Sequence, residues 1–132
     1  MKELNELSIG ESLETTLKPV SRMDLIKYSG SSGDFNPIHT IDEEAIKAGL
    51  PGILAHGMWT MGNLSKLFTP YYEQGLIKDY NIRFSGMVFL NDVLTLKAQL
   101  VERTEQSLIF DMKASNQNQK DVVQGKLKFE LY

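Results

Sequence analysis

Residues 56–71 read HGMWTMGNLSKLFTPY and place apolar side chains every three or four positions, the spacing of one face of an α-helix. The side chains at that spacing are Met58, Met61, Leu64, Leu67, Phe68 and Tyr71. Lys66 is the only formally charged residue between positions 48 and 72, and a helix so poor in charge is buried on most of its sides. Pro70 limits its continuation. We therefore predict a long central helix that forms the spine of the domain.

Downstream of Gly75 the apolar period changes to two, the period of a β-strand. Residues 92–102, 106–115 and 123–131 each alternate apolar with polar side chains. The inward set is Leu94, Leu96, Ala98 and Leu100, then Leu108, Phe110, Met112 and Ala114, then Val123, Gly125, Leu127, Phe129 and Leu131. Short polar turns at 103–105 and 116–120 favour an antiparallel meander. We predict an α+β domain in which this sheet wraps around the central helix.

Upstream of the central helix the pattern is more broken. Residues 11–20 suit a strand, and Ser21 is placed to cap a short helix that should end in the segment Gly-Ser-Ser-Gly at 30–33. Residues 34–40 contain Asn36-Pro37, and a proline pushes the residue before it out of the α region, so an ordered loop is expected. Asp42 is then predicted to cap a second short helix over 43–48, which Gly49 ends.

Length and composition restrict the classes of function. A chain of 132 residues is one ordinary domain, 1–132, and 42% apolar with 23% charged residues is typical of globular proteins. A net charge of −3 provides no basic surface for a phosphate backbone, so no nucleic acid partner is expected. The absence of cysteine is typical of a reducing compartment, and we expect a cytoplasmic protein. Residues 1–10 lack the apolar core of a signal peptide, and no membrane insertion is expected.

The two histidines of the chain both lie in its poorly charged central third. Asp34 and His39 are five positions apart across a turn that contains Pro37, so both side chains can reach one water molecule if the loop curls back. A carboxyl group and an imidazole that share a water form an acid and base pair suited to adding or removing water. The alternative is that Asp34 hydrogen-bonds its own turn and His39 is a loop residue without a chemical role.

The second histidine, His56, stands with Gly57 at the expected start of the central helix. The first backbone N–H groups of a helix are unpaired and its dipole is positive there, so a carbonyl oxygen that gains negative charge can be held at that end. Gly57 matters because a missing side chain lets a ligand approach its N–H. The alternative is a plain helix start with a capping histidine.

Other kinds of site have less support. Asp34, His39 and His56 offer two imidazoles and one carboxylate to a metal, but the sequence has neither a His pair at i, i+4 nor a third histidine, and we expect no metal. Residues 30–33 lack the lysine of a phosphate loop and no G-x-G-x-x-G occurs, so no nucleotide cofactor is expected. Ser65 has no G-x-S-x-G context, which excludes it as a typical nucleophile.

Taken together, YSGSSGDFNPIH at 28–39, Asp42, and AGLPGILAHGM at 48–58 resemble the hydratase-2 motif of the MaoC-like dehydratases, which adopt the hotdog fold. The resemblance continues through YNIRF at 80–84 and covers most of the chain. It implies reversible, cofactor-free hydration of trans-2-enoyl thioesters to (R)-3-hydroxyacyl thioesters in fatty-acid metabolism, with coenzyme A or acyl carrier protein as the carrier.

The resemblance also assigns roles to single residues. It implies that Asp34 and His39 hold and activate the water and that the Gly57 N–H is the oxyanion donor. Asn36 matches a motif position and is expected to orient the loop, and Ser65 is a weaker candidate for a hydrogen bond to the catalytic carboxylate. How the two proton transfers divide between Asp34 and His39 stays open.

One departure from the family pattern concerns residues 87 and 91. Many hydratases of this type have a proline and a glycine there, whereas this sequence has Met87 and Asn91, which looks closer to the B subunits of two-subunit hydroxyacyl-carrier-protein dehydratases. Hotdog domains generally pair, so the resemblance implies a homodimer or a heterodimer with a related subunit. A hotdog acyl thioesterase and a non-catalytic acyl-binding subunit are the alternatives for the function.

Overall fold

A computed structural model describes residues 3–132 and contains one five-stranded antiparallel sheet. The strands are β1 (Ser12–Thr16), β2 (Gly75–Phe84), β3 (Thr95–Arg103), β4 (Ser107–Ser115) and β5 (Asp121–Leu131). Their order across the sheet is β1-β3-β4-β5-β2. The meander of β3, β4 and β5 was predicted and is confirmed, because alternate residues such as Leu96, Leu108 and Leu127 are buried on one face as expected.

Three α-helices and three 3₁₀ turns complete the described chain. The α-helices are α1 (Arg22–Ser32), α2 (Asp42–Lys47) and α3 (Gly57–Ser65), and the 3₁₀ turns are Leu4–Glu6, Pro37–His39 and Lys66–Tyr71. The predicted α+β class, with an antiparallel sheet packed on a central helix, is therefore confirmed. No helix among residues 3–132 is long and apolar enough to cross a bilayer.

The central helix is shorter and less buried than the sequence predicted. Regular α-helix ends at Ser65, and the chain continues as a 3₁₀ turn to Tyr71, since Pro70 has no N–H to donate to the carbonyl four residues back. The sheet covers one face, which buries Thr60, Leu64, Phe68 and Tyr71. Burial on most sides was wrong for Met58, whose side chain is 57% exposed.

The core lies where this helix meets the sheet. Phe68, just beyond α3, packs edge-on against Phe110 of β4 with ring centroids 4.9 Å apart, and lies nearly parallel to Phe129 of β5 at 5.8 Å. All three rings are fully buried. Apolar burial on this scale stabilises a domain by about 1.5–3 kcal/mol per large side chain, so this contact fixes α3 on the sheet.

Helix α1 begins at the predicted cap and ends within the predicted segment. The Ser21 hydroxyl accepts the Asp24 N–H and the Asp24 carboxylate accepts the Ser21 N–H, both at 3.1 Å, which forms a capping box. The helix runs through Gly30 to Ser32, and Gly33, whose φ of 77° is left-handed, is its C-terminal cap. The strand predicted over 11–20 is confined to β1, where only five residues pair with β3.

Helix α2 differs from the prediction at its first residue. Asp42 is inside the helix and Ile41 precedes it as the boundary residue, so Asp42 is not the cap. Its carboxylate instead pairs with the Arg22 guanidinium at 3.0 Å, which ties the start of α2 to the start of α1. The segment between these two helices carries the predicted site.

The two ends of the described chain meet at Gln74, in the turn before β2. The Tyr132 N–H donates to the Gln74 carbonyl at 3.1 Å. The Gln74 side-chain amide donates to the Glu3 carboxylate at 3.2 Å. Residues 3 and 132 are therefore both within hydrogen-bond reach of one residue.

Candidate active site

The loop between α1 and α2 curls back through hydrogen bonds of its own short polar side chains. Gly33 reverses the chain after α1. The Asp34 carboxylate accepts the Asn36 N–H at 3.1 Å, and the Asn36 side-chain oxygen accepts the Ile38 N–H at 3.3 Å. Asn36 thus caps the 3₁₀ turn Pro37–His39, and the predicted ordered loop over 34–40 contains this turn. The sequence of small polar residues and Pro37 sets the loop geometry locally.

His39 is buried, and its ring orientation is set by the backbone of another segment. Its Nδ1 lies 2.7 Å from the Leu54 carbonyl oxygen, which can only accept, so Nδ1 carries the hydrogen. The other nitrogen, Nε2, then lies 4.0 Å from Oδ2 of Asp34. The side chain of Asp34 is half exposed, whereas that of His39 is almost covered. The structure therefore brings the two predicted residues together with one face open to solvent.

His56 is the most enclosed polar side chain at this site. Its Nε2 lies 3.2 Å from both the Ser29 hydroxyl and the Asp34 backbone carbonyl. Because a carbonyl only accepts, Nε2 carries the hydrogen of the neutral ring. Nδ1 is buried and has no hydrogen-bond partner among the described residues. Burial lowers the pKa of His56 and outweighs the hydrogen bond to the Asp34 backbone, which raises it. The neutral ring is therefore favoured.

The rings of the two histidines stack. Their centroids are 3.8 Å apart and their planes 22° apart, and Tyr28 meets His56 edge-on at 4.8 Å. From the sequence, His56 is considered only as a capping residue or a metal ligand. In the structure its side chain makes no capping hydrogen bond to α3. Its contacts with Ser29 and Asp34 join segments 22 to 27 residues apart, and no local sequence signal reveals such contacts.

Gly57 is the first residue of α3, as predicted, and its N–H belongs to the unpaired donors of that helix end. No hydrogen bond from this N–H occurs among residues 3–132. A Cβ at this position would lie 2.9–3.2 Å from the ring of Phe84 at the end of β2. Gly57 directly follows His56, which bonds the Asp34 backbone, so this donor stands beside the Asp34 loop.

Ser65 does not join the pair. Its hydroxyl donates to the Gly62 carbonyl at 2.7 Å, a bond within the last turn of α3. The structure therefore gives no contact between Ser65 and the Asp34 carboxylate. Asn36 does act on the loop, through the hydrogen bonds described above.

The three residues considered as metal ligands form a cluster. Donor atoms of Asp34, His39 and His56 all lie within 4.8 Å of one another. Each histidine uses one nitrogen for a protein hydrogen bond, which leaves the other nitrogen for a metal, but that nitrogen of His56, Nδ1, is enclosed. Zinc requires nitrogen and oxygen ligands at about 2.0–2.2 Å, so the side chains would have to rearrange to hold it. The absence of a metal stays a prediction.

Comparisons with known proteins relate this chain to one family and to proteins of fatty-acid synthesis. The family described as "MaoC like domain" matches residues 5–122. Fatty acid synthase subunit beta of Aspergillus oryzae is 31% identical over 113 residues, which are 82% of this chain but 6% of that protein. The mitochondrial 3-hydroxyacyl-[acyl-carrier-protein] dehydratase of Arabidopsis thaliana is 26% identical and is aligned over 90% of this chain and 74% of that one.

A solved structure shares the whole architecture. The R-hydratase PhaJ1 of Pseudomonas aeruginosa, in its unliganded form, superposes with a TM-score of 0.89 at 25% identity, over 96% of this chain and 83% of that one. The predicted hotdog fold is thereby confirmed. This chain spans only 4 to 6% of the fungal synthase subunits it matches, so it is similar to one small region of those proteins.

Proposed function

The chain belongs to the family of MaoC-like domains, and from that membership we propose that it catalyses the reversible hydration of trans-2-enoyl thioesters to (R)-3-hydroxyacyl thioesters in fatty-acid metabolism. The observation that carries the proposal is the convergence of His39 Nε2 and Asp34 Oδ2 at 4.0 Å. A water oxygen about 2.8 Å from each atom bridges such a gap with two ordinary hydrogen bonds.

In the hydration direction this pair performs the proton transfers. The water oxygen forms a bond to C3 of the enoyl group, and one of its protons passes to the pair as that bond forms. The pair returns a proton to C2, so atoms and charge balance and no cofactor is consumed. Asp34 and His39 are both placed to exchange a proton with the shared water, and the division of the two transfers between them stays open.

The charge that develops on the thioester belongs to a different part of the site. Addition at C3 creates enolate character on the thioester oxygen, and the Gly57 N–H at the positive end of α3 is the donor proposed to hold it. One preorganised donor of this kind is worth about 10²–10³ in kcat. The carboxylate and imidazole move protons, while the helix end stabilises charge.

The carrier, the partner subunit and the compartment are further parts of the proposal. We propose an acyl thioester of coenzyme A or acyl carrier protein as substrate, a dimer as the assembly and the cytoplasm as the compartment, with no nucleic acid partner. Candidate contacts for the acyl chain are the exposed apolar side chains next to Gly57, namely Met58 and Phe84, which are 57% and 50% exposed.

The test is a panel of enoyl thioesters that vary in acyl length and carrier. Loss of the conjugated enoyl absorbance without release of free thiol supports hydration, and chiral analysis of the product tests the (R) configuration. Release of thiol would instead identify a thioesterase. Tight binding of the thioester without turnover would identify a non-catalytic acyl-binding subunit.

Two substitutions connect the activity to the pair. Asp34→Asn and His39→Gln should each lower kcat by about 10²-fold or more, because general acid–base groups contribute that much. Asp111→Asn, on the outer face of β4, is the control and should keep the parent rate. Parent rates in both site variants would contradict the proposed mechanism.

A further inference from the structure

We propose that His56 is a positioning residue that sets the orientation of both catalytic groups, through a hydrogen bond to the backbone of Asp34 and a stacked contact with the ring of His39. This inference rests on the proposed function. It concerns a buried side chain to which the mechanism above assigns no role.

The first contact fixes the backbone that carries the carboxylate. The Asp34 side chain is half exposed, and its only hydrogen bond among the described residues is the local one from Asn36. The His56 Nε2–H donates to the Asp34 carbonyl at 3.2 Å. This hydrogen bond connects Asp34 to a residue 22 positions away in the sequence. Without it the described hydrogen bonds of Asp34 are all local, to Ser32 and Asn36, and the carboxylate loses its fixed distance to the imidazole.

The second contact fixes the plane of the His39 ring. The bond from Nδ1 to the Leu54 carbonyl sets the direction of the ring but leaves it free to tilt about that bond. The His56 ring lies against it at 3.8 Å with a 22° interplanar angle and blocks the tilt on one side. The bond and the stacking together aim Nε2 at the shared water.

Two residues of helix α1 contact the His56 side chain. The buried Ser29 hydroxyl lies 3.2 Å from its Nε2, and the Tyr28 ring covers its edge. His56 also immediately precedes Gly57, the proposed oxyanion donor. One side chain thus connects the carboxylate, the imidazole and the helix end.

The charge state of His56 suits this role. The titratable groups that face it are His39, Asp34 and Tyr28, and burial keeps its pKa below the ordinary value. A neutral ring does not compete with His39 for a proton, whereas a cation stacked on His39 would disfavour protonation of His39.

Two substitutions at position 56 separate the two contacts. His56→Phe keeps an aromatic ring against His39 and removes the donor to Asp34, and His56→Gln keeps an amide donor and removes the stacked ring. We expect each to lower kcat about 10- to 100-fold with a smaller change in KM, because a misplacement near 1 Å costs about 10² in rate. We also expect the pH limits of kcat to move in His56→Gln, since the neighbour of His39 has changed.

Ser29→Ala gives a second, milder test that does not depend on the folding of the His56 variants. It removes the hydroxyl that contacts His56, and Ser31→Ala, at an exposed position of the same helix, is its matched control. We expect Ser29→Ala to lower kcat several-fold and to shift the His39 titration observed by NMR, and we expect Ser31→Ala to change neither.

The outcomes are separable. An inactive parent protein would overturn the proposed function itself. An active parent with unchanged kcat and unchanged pH limits in the His56 variants, or with an unchanged His39 titration in Ser29→Ala if the His56 variants fail to fold, would overturn the positioning role alone. Thermal unfolding measured beside each rate ensures that kcat refers to folded protein.

Discussion

Gly57 is the residue at which one added methyl group should have the largest effect on activity. A Cβ there lies 2.9–3.2 Å from the Phe84 ring, and that ring is half exposed and able to move, so Gly57→Ala should fold. The added methyl group then lies beside the Gly57 N–H, the proposed oxyanion donor, and hinders the approach of a ligand oxygen. We expect kcat to fall about 10-fold or more, given that loss of a whole donor costs about 10²–10³.

The matched control for that change lies one and a half turns further along the same helix. A Cβ on Gly62 meets nothing within 4 Å. Gly62→Ala should therefore retain the parent rate, and its free energy of unfolding should rise by up to about 1 kcal/mol from helix propensity. Equal rates in the two alanine variants would contradict the assignment of the Gly57 N–H.

His56 also predicts how stability depends on pH. Burial lowers its pKa in the folded protein below the ordinary value near 6.5. The unfolded chain therefore binds a proton that the folded chain does not, so the free energy of unfolding should fall as pH drops below about 6.5. Urea unfolding across this range should show a flatter dependence in His56→Gln, and parallel curves would refute this account.

The sequence could predict that Asp34 and His39 come together but not all of their contacts. Asp34 and His39 stood out because an acid and a base flank a proline turn, which is a local pattern. The Leu54 carbonyl that orients His39 is a backbone group, and no side-chain pattern marks it. The stacking of His39 on His56 depends on how two segments distant in sequence pack, so only the three-dimensional structure reveals it.

Among the elements, α1 has one glycine inside it and one as its C-terminal cap, and their replacements should act in opposite directions. Gly30 lies within the helix, and a Cβ there meets nothing within 4 Å, so Gly30→Ala should raise the free energy of unfolding by about 0.5–1 kcal/mol. Gly33 has a left-handed φ of 77°, so Gly33→Ala should lower it by about 1–2 kcal/mol. Chemical denaturation of both variants checks the signs, and a loss of stability in Gly30→Ala would contradict the observed helix end.

The same helix shows why element boundaries were harder to predict than element types. The segment at 30–33 contains two glycines and two serines, which favour a turn, and α1 does end within it, but its composition does not show that the helix reaches Ser32. The Ser32 hydroxyl donates to the Tyr28 carbonyl at 2.7 Å, and buried Ser29 contacts His56, so side-chain bonds hold the last turn. The strands of the meander were predictable because their alternation extends over nine or more residues.

At the level of the whole molecule, the sheet ends in an edge that is long and partly apolar. Strand β2 has ten residues and pairs with β5 on one side, and no strand among residues 3–132 pairs with its other side. Leu76 and Phe84 on this strand are 46% and 50% exposed. Unprotected edges of this length favour pairing with another chain.

We therefore expect light scattering to give twice the 14.9 kDa mass of the chain. Leu76→Glu should shift the protein towards the monomer, because it places a charge on the proposed interface. Ile46→Glu on α2 has a comparably exposed parent side chain and should leave the mass unchanged. A monomeric parent protein would contradict the proposed dimer.

The convergence of Glu3 and Tyr132 on Gln74 determines how this domain can be combined with others. Because these two residues lie close together, the domain can be inserted into a loop of a larger protein without displacing a strand of its own sheet. The domain is therefore geometrically suited to insertion within a long multi-enzyme chain, and equally to circular permutation.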